Sequence, residues 1–368
     1  MTRIYLIRHA EAEGNLYRIV QGQGNSNLTD RGWRQVKALE QRFSPIHIDA
    51  VYASDLYRTC ATASAVYKPK GLPLHRRTDL REIFVGGWEQ RTWGDIARTS
   101  PQQMEYFSHR PDLWHCEGAE TAAEVLARVK AAICAIAAEN GGRTVAVFSH
   151  GYAIRLLLAH LQGYPPERIG ESPTGQNTAV SLLEAEGGRL RLVFRDDISH
   201  LQTPEYLAGE KVRRKSDPLE PGLWFAPLEE ADPSVCTRLL RECWDGVSRP
   251  FDPSRFLSSA ARRPTLVGFS RETPVGLVQL GPERGWISLA CIRADHRSRG
   301  FGGQLIGQAV QWTRALGGEA LYAALTPGGG AESFFRDYGF VPTGRTEDGR
   351  AVFTKDIRFD PEFLTPGT

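Results

Sequence analysis

The chain has 368 residues, of which 41% are hydrophobic and 24% are charged, and its formal net charge at pH 7 is +2. This balance is typical of a soluble globular protein, and a charge so close to neutral excludes binding to polyanions driven by overall charge. We therefore expect neither nucleic acid nor a membrane as a partner. Because a single hydrophobic core rarely grows beyond about 250 to 300 residues, the length predicts two domains.

The first residues and the cysteines indicate the compartment. The apolar run at residues 4–7 is too short for a secretory signal, and no stretch reaches the roughly 20 apolar residues of a membrane helix. The six cysteines form no CxxC pair and have no histidine at zinc-site spacing, so we expect reduced thiols and no metal site. The protein is expected to be cytoplasmic.

Short β-branched runs alternate with helical stretches over about the first 200 residues. Arg3–Ile7 and Thr144–Ser149 are predicted to be strands buried on both faces. Between these strands, Thr29 and Thr121 are predicted to be the N-caps of two amphipathic helices. This alternation predicts an α/β fold in which helices cover both faces of a sheet.

A change of composition separates the two halves of the chain. Residues 203–221 are polar and rich in proline and glycine, which is typical of a linker. A solvated linker also explains their basic cluster more simply than an anionic partner does. We predict domains over residues 1–202 and 222–360, joined by this linker.

Histidines and arginines lie near predicted strand ends in the first domain. His9 follows the first strand and His150 follows Thr144–Ser149, and ligands of open parallel sheets bind at the carboxyl ends of strands. Arg8 adjoins His9, and Arg58 follows another apolar run. Since guanidinium groups match phosphate oxygens in shape and charge, this combination predicts phosphoryl chemistry; the alternative is that both arginines form surface ion pairs.

Five groups of residues, in the same order, resemble the motifs of the histidine phosphatase superfamily, also called phosphoglycerate mutase-like. They are Arg8-His9-Ala10-Glu11 with Asn15 and Leu28-Thr29-Asp30-Arg31-Gly32, then Ser54 to Thr59, then Leu80-Arg81-Glu82-Ile83 with Gly87-Trp88-Glu89, then Glu117 to Thr121, and finally Ser149-His150-Gly151. The resemblance implies a three-layer α/β/α sandwich and a phosphatase that needs neither a metal nor a cofactor.

The resemblance also implies a role for each site residue. His9 would attack phosphorus and carry the phosphoryl group as a phosphohistidine. Four side chains would hold the phosphoryl oxygens, those of Arg8, Arg58, His150 and the substrate-binding Asn15. Glu82 matches the family's acid/base position, where a carboxyl group protonates the leaving alkoxide and then takes a proton from water.

Hydrolysis is favoured over phosphoglycerate mutase activity. Cofactor-dependent phosphoglycerate mutases of the superfamily carry extra length and a tyrosine-glycine segment shortly after the acid/base glutamate, and residues 83–88 contain no such segment. We expect hydrolysis of a small phosphomonoester, with phosphoglycerate mutase activity as the alternative. The candidates for lining the pocket entrance are Tyr17, Arg18, Phe84, Trp93, Phe107 and Trp114.

In the second half, a predicted strand leads into a glycine-rich turn and an amphipathic helix. The turn contains Arg297, Arg299, Gly300, Gly302 and Gly303. Glycines let backbone N–H groups approach a pyrophosphate closely, and the helix N-terminus adds partial positive charge. Together with residues 331–340, this spacing resembles the acyl-CoA loop and last helix of the GNAT N-acetyltransferase superfamily, which implies an α+β domain over about residues 223–359.

The GNAT resemblance implies acetyl-CoA, or another acyl-CoA, as cofactor and an amine as acceptor. Phe335 stands where the family usually has the tyrosine that protonates the departing thiolate, and Tyr338 lies one helical turn further on. No carboxylate stands out as the base for the amine. We expect an acetyl-CoA-dependent N-acetyltransferase fused to the phosphatase, with a non-catalytic acyl-CoA sensor as the alternative.

Overall fold

The computed structural model describes residues 1–210, 221–244, 252–253, 256–257, 263–281 and 283–364. The basic residues at 211–215 in the predicted linker lie outside these ranges. None of the described helices is both long enough and apolar enough to cross a membrane.

The first half contains one six-stranded sheet and eight α-helices among the described residues. The strands are β1 (Thr2–Arg8), β2 (Ala50–Ser54), β3 (Leu74–Arg77), β4 (Thr144–Ser149), β5 (Val180–Glu186) and β6 (Arg189–Asp197). The helices are α1 (Glu13–Tyr17), α2 (Asp30–Phe43), α3 (Tyr57–Lys70), α4 (Trp93–Thr99), α5 (Pro101–His109), α6 (Ala122–Glu139), α7 (Gly151–Leu161) and α8 (Pro204–Ala208).

The strand order of this sheet is β3-β2-β4-β1-β5-β6. β1 runs parallel to β4, and β2 runs parallel to both β4 and β3. β5 and β6 are antiparallel additions beside β1. The carboxyl ends of β1, β2 and β4 therefore meet at one edge of the sheet.

Alternate side chains of β1 enter two different cores, as the two-residue period of a strand requires. Ile4 and Leu6 pack with residues of α6 and α7, whereas Tyr5 and Ile7 pack with residues of α2 and α3 on the opposite face. The predicted three-layer α/β/α sandwich is confirmed.

The N-terminal caps of two helices follow directly from the sequence. The Thr29 hydroxyl accepts a hydrogen bond from the Gly32 N–H at 3.0 Å at the start of α2. Thr121 and Glu124 form a reciprocal capping box at the start of α6. Both caps satisfy backbone donors that a helix leaves unpaired, so both predicted helices begin at the expected residue.

Residues 203–210, which composition places in the linker, pack on the first half. Tyr206 in α8 is buried beside Ala38 of α2. The Glu210 carboxylate lies 2.8 Å from the guanidinium groups of both Arg31 and Arg34 on α2.

Among its described residues, the second half contains two small antiparallel sheets. Its elements are β7 (Trp224–Pro227), α9 (Pro233–Trp244), β8 (Thr265–Ser270), β9 (Thr273–Leu280), β10 (Ile287–Ile292), α10 (Phe301–Ala315), β11 (Ala320–Leu325), α11 (Gly330–Asp337), β12 (Val341–Glu347) and β13 (Arg350–Asp356). The sheet orders are β10-β9-β8-β7 and β11-β13-β12. This mixed arrangement confirms the predicted α+β class.

The two sheets of this half meet where β10 and β11 begin. A parallel bridge joins Trp286 to Tyr322, and the Tyr322 N–H donates to the Gly285 carbonyl at 2.8 Å. Beyond this bridge β10 and β11 belong to different sheets.

Candidate active site

Two histidines lie side by side at the carboxyl edge of the first sheet. Arg8 pairs with Ser149 in the register of β1 and β4, so the next residues, His9 and His150, leave neighbouring strands together. The His9 N–H donates to the Ser149 carbonyl at 3.0 Å. The imidazole centroids are 5.3 Å apart, so both predicted histidines face the same space.

The hydrogen bond at Nδ1 defines which tautomer His9 adopts. His9 Nδ1 lies 2.7 Å from the Ala10 carbonyl oxygen, which can only accept, so Nδ1 carries the proton and Nε2 keeps its lone pair. The ring is buried. Burial, followed by the positive charges of Arg58 and Arg8, holds the pKa of His9 well below its usual value. His9 is therefore a neutral imidazole with a free nucleophilic nitrogen.

Arg58 is held in place by backbone carbonyls of the loop that follows α1. Only 1% of this residue is exposed, and its Nη1 and Nη2 donate to the Gly24 and Gly22 carbonyls at 2.8 and 2.7 Å. Burial lowers the pKa of Arg58 to about 10, which leaves the group charged at neutral pH. The loop thus fixes one edge of the guanidinium and leaves Nε for other contacts.

Four buried polar atoms of the site have no hydrogen-bond partner among the described residues. They are Arg8 Nε, Arg58 Nε and both ring nitrogens of His150. Buried polar groups in folded proteins are normally paired, so these atoms indicate a polar ligand. Burial and then the charge of Arg58 hold the pKa of His150 well below its usual value.

Glu82 lies against the N-terminus of α7, directly after His150. Its Oε2 accepts from the Tyr152 N–H and its Oε1 from the Ala153 N–H, both at 3.0 Å. These two N–H groups are among those that the first turn of a helix leaves without an intrahelical partner. The structure thus brings Glu82 to the same strand edge as the two histidines.

Arg128 is a residue that the sequence interpretation missed. From α6 it donates to the Arg81 carbonyl at 2.7 Å and to the Glu82 carbonyl at 2.9 Å, and it pairs with the Glu120 carboxylate at 2.6 Å. It therefore fixes the backbone that carries Glu82. An arginine in an amphipathic helix gives no local signal of such a role, because solvent-facing positions look the same.

Asn177 and Thr62 also support the His9 loop and were not foreseen. Asn177 Nδ2 donates to the His9 carbonyl at 3.0 Å and reaches Asn15 Oδ1 at 3.4 Å. Thr62 accepts from the Ala10 N–H at 2.9 Å and donates to the Arg58 carbonyl at 2.6 Å. The predicted Asn15 therefore lies beside the His9 backbone, at an exposed position.

The structure changes the interpretation of the aromatic residues. The Phe107 ring stacks on Tyr152 with a centroid distance of 4.5 Å and meets Trp114 edge-on at 5.1 Å. These rings pack in the core that also contains Trp88. Tyr17 is buried against α10 of the second half and does not line an entrance, because its ring belongs to the core of that half. Phe84 remains partly exposed.

The glycine-rich turn of the second half combines an open position with two packed positions. Gly300 is the N-cap of α10, has φ +83° and would have open space around a Cβ. A Cβ on Gly302 would lie 2.6 Å from the Phe334 ring, and one on Gly303 would lie 2.6 Å from the Tyr338 ring. Gly302 and Gly303 therefore also allow α10 to pack against aromatic side chains, which the sequence did not indicate.

The two predicted arginines of this turn contact backbone carbonyls. Arg297 donates to the Ile292 and Cys243 carbonyls, both at 3.1 Å, and Arg299 donates to the Asp295 carbonyl at 3.1 Å. These contacts tie the turn to α9 and to the end of β10.

Phe335, at the usual tyrosine position, is buried with its centroid 4.9 Å from that of Phe340. It thus forms part of the domain core. The aromatic rings against the first turn of α10 are those of Phe334 and Tyr338.

Comparison with known proteins gives a family match for each half. Residues 4–198 match the model of the histidine phosphatase superfamily (branch 1), and residues 223–340 match that of the acetyltransferase (GNAT) family.

Individual relatives resemble the first half. Phosphoserine phosphatase 1 of Hydrogenobacter thermophilus is 31% identical over 163 residues, which are 44% of this chain and 77% of that protein. A protein of Proteus mirabilis named "Probable phosphoglycerate mutase GpmB" is 32% identical over 169 residues, 45% of this chain and 77% of that protein. The structure of Bacillus stearothermophilus YhfR, 29% identical, covers 55% of this chain and 100% of that one with a TM-score of 0.53.

Proposed function

Since the chain belongs to the histidine phosphatase superfamily (branch 1), we propose that its first half hydrolyses a small phosphomonoester through a phosphohistidine at His9, without a metal. The observation that carries this proposal is the tautomer of His9. Its Nδ1 is held by the Ala10 carbonyl, so in the neutral ring Nε2 is an unprotonated nucleophile, and the charges of the buried Arg58 and of Arg8 act on this ring.

In the first step the Nε2–P bond forms while the bond between phosphorus and the ester oxygen breaks. Protonated Glu82 gives its proton to the departing alkoxide, which leaves as the alcohol. In the second step water attacks phosphorus, the Glu82 carboxylate takes a proton from that water, and the N–P bond breaks. Inorganic phosphate and free His9 result, so one carboxyl group serves as acid and then as base.

The transition state of both steps carries negative charge on the phosphoryl oxygens. We assign the binding of these oxygens to Arg8, Arg58 and His150, with Asn15 at the exposed side. The unpartnered Nε atoms of Arg8 and Arg58 and the unpartnered N–H of the His150 ring support this assignment, since they are donors that a phosphoryl group would satisfy. Donors fixed in a buried site need little reorganisation during the reaction, which is the main source of electrostatic catalysis.

The alternative activity for the first half is phosphoglycerate mutase. Both a phosphoserine phosphatase and a protein named as a probable mutase are among its relatives. Hydrolysis is favoured because Glu82 leads within a few residues into the short turn Gly86–Trp88, without the tyrosine-glycine segment of the cofactor-dependent mutases. A release assay for inorganic phosphate over a panel of small phosphomonoesters distinguishes the two, since a mutase isomerises its substrate without releasing phosphate.

For the second half, a GNAT-family domain, we propose acyl-CoA binding at the turn between β10 and the start of α10. The pyrophosphate would contact the backbone of the turn from Arg297 to Gly303, which includes Arg299, Gly300 and Gly302. The open, left-handed Gly300 and the N-terminus of α10 fit an anionic group at this position. Bound acetyl-CoA would supply the acetyl group for transfer to an amine.

A non-catalytic acyl-CoA sensor is the second candidate function for this half. It is favoured by Phe335, which has no acidic proton and lies in the core. Calorimetric titration with coenzyme A, combined with an acetyl-transfer screen over amines, separates the two. Binding with transfer supports the enzyme, and binding without transfer to any amine supports the sensor.

A further inference from the structure

Helix α10 connects the two candidate sites. Its N-terminus follows the glycine-rich turn of the second half, and its later turns pack against α1 of the first half, where Leu305, Ile306 and Val310 share one buried cluster with Tyr17. α1 itself contains Asn15 and follows the His9 loop directly. One helix therefore begins at the proposed acyl-CoA site and packs against the helix that carries Asn15.

The contact between α10 and α1 is close enough to transmit small movements. A Cβ on Gly307 would lie 2.5 Å from the Cβ of Tyr17, a separation that real side chains do not adopt. Tyr17 is almost completely buried. Because packed interiors have low compressibility, a shift of α10 must move α1 or open a gap.

A buried ion pair joins the same two elements. Arg314 on α10 lies 2.6 Å from the Glu13 carboxylate on α1, and only 7% of the Glu13 side chain is exposed. Glu13 also accepts from the Asn27 N–H at 3.2 Å. The second half thus supplies the charge that compensates a buried carboxylate on α1 of the first half.

A second contact reaches the loop that holds Arg58. Gln311 on α10 donates to the Gln90 carbonyl at 3.0 Å. The neighbouring Glu89 carboxylate accepts from the Gln23 and Gly24 N–H groups at 2.9 and 3.2 Å. Gly24 in turn binds the guanidinium of Arg58, so α10 supports the phosphate-binding arginine through this chain of contacts.

The first residues of the second half connect the start of α10 with the end of α1. Gln304, in the first turn of α10, is buried, and its Oε1 accepts from the Leu223 N–H at 2.7 Å. Arg18, at the end of α1, donates to the Pro221 carbonyl at 3.3 Å. A ligand at the start of α10 therefore acts on a helix that contacts the first half through Gly307, Gln311 and Arg314.

We propose that acyl-CoA bound at the start of α10 strengthens phosphate binding at Arg58 and His9, so that the second half regulates the first. This inference rests on the functions proposed for both halves. Ligand binding that fixes α10 also fixes the loop whose carbonyls hold Arg58, and two ligands that require the same positioned element bind with positive cooperativity. Thermodynamic reciprocity then requires phosphate to strengthen acyl-CoA binding by the same factor.

The test measures two affinities on the full-length chain. The inhibition constant of orthovanadate, a phosphoryl transition-state analogue, is determined with and without saturating acetyl-CoA. The dissociation constant of acetyl-CoA is determined by calorimetry with and without vanadate. We expect each ligand to tighten the other by the same factor, about fivefold or more.

The outcomes separate failure of the coupling from failure of the functions. If both ligands bind and neither affinity changes, the coupling is wrong and both proposed functions remain. If acetyl-CoA does not bind, the coupling and the function of the second half are both wrong. If vanadate does not inhibit, the coupling and the function of the first half are both wrong.

Variants at the contact test the route of the coupling. Arg314→Met keeps the aliphatic stem but removes the charge that faces Glu13, and we expect it to reduce the coupling factor towards one. Gln311→Ala is a milder change and serves as the second variant if Arg314→Met does not fold. We expect it to reduce the coupling factor in part. The matched control is Arg350→Met, which removes an ion pair with Asp348 inside the second half. If both contact variants keep the same coupling factor as the control variant, the proposed role of α10 is wrong.

Discussion

Arg128 donates a hydrogen bond to the carbonyl oxygen of Glu82 at 2.9 Å, so a helix on one face of the sheet holds the backbone of the proposed acid/base residue. The same guanidinium also binds the Arg81 carbonyl and the Glu120 carboxylate. Removal of the Arg128 guanidinium would release the backbone at Arg81 and Glu82 without changing the chemistry of the Glu82 carboxyl group.

The first prediction concerns this positioning role. Arg128→Met should lower kcat about tenfold with a smaller change in KM, because a displaced carboxyl group loses part of the 10²- to 10⁴-fold that general acid–base catalysis typically contributes. Lys130→Met, an exposed change on the same helix, is the control. Equal kcat values for the two variants in steady-state assays would contradict the assignment.

The second prediction concerns Glu82 itself. Glu82→Gln should lower kcat for alkyl phosphates by about 100-fold or more, since the alkoxide then leaves without a proton, while substrate binding changes little. With p-nitrophenyl phosphate the loss in phosphoryl transfer to His9 should be much smaller, because nitrophenolate needs no proton to leave. Pre-steady-state release of nitrophenolate measures that step.

Glu117→Gln is the matched control for this substitution, since Glu117 is an exposed glutamate on a nearby loop. It should keep nearly full activity with both classes of substrate. An equal loss for both leaving groups in Glu82→Gln would argue against a proton donor at this position.

The third prediction is a pH dependence of stability. Burial and then the charge of Arg58 hold the pKa values of His9 and His150 well below the usual value near 6.5. Below about pH 6.5 the unfolded chain therefore binds more protons than the folded one, and the free energy of unfolding decreases as the pH falls. Each site contributes a slope of up to about 1.4 kcal/mol per pH unit.

Urea denaturation between pH 7.5 and 5 measures this slope. His150→Gln removes one titrating group and should flatten the slope by up to about 1.4 kcal/mol per pH unit. His47→Gln is the control, since His47 is an exposed histidine. A slope in His150→Gln that equals that of the control would show that His150 does not titrate in this way.

The fourth prediction concerns the contact between the halves. Gly307→Ala should destabilise the chain by about 1 to 3 kcal/mol, because the new methyl group meets the Tyr17 side chain where there is no room for it. Gly330→Ala is the matched control in α11, where a Cβ meets nothing within 4 Å. If thermal unfolding finds Gly307→Ala as stable as Gly330→Ala, the two helices do not pack in this way.

Much of the first fold follows from local sequence signals. Thr29 and Thr121 define helix starts because a hydroxyl group satisfies the free N–H groups that follow it, and that chemistry needs no tertiary information. The sequence signals for the buried strands next to His9 and His150 are equally local. Parallel pairing of these strands then brings both histidines to one edge of the sheet. Strand ends therefore predict where this site lies.

Contacts between distant segments could not be predicted in the same way. Tyr17 is an aromatic residue near the site, and only the tertiary fold shows that it packs on α10 and not at a pocket entrance. Gly302 and Gly303 likewise match a ligand-binding turn by spacing, although both also accommodate aromatic rings of α11 and its C-cap. A side chain's partner far along the sequence leaves no trace in local periodicity.

The central claim is that His9 becomes phosphorylated during turnover. The most direct measurement is rapid quenching in alkaline detergent with a ³²P-labelled phosphomonoester, followed by peptide mapping, because an N–P bond survives base but not acid. The account predicts an acid-labile label on His9 that appears before phosphate release and is absent from His9→Ala. A label on another residue, or full hydrolysis by His9→Ala, would contradict it.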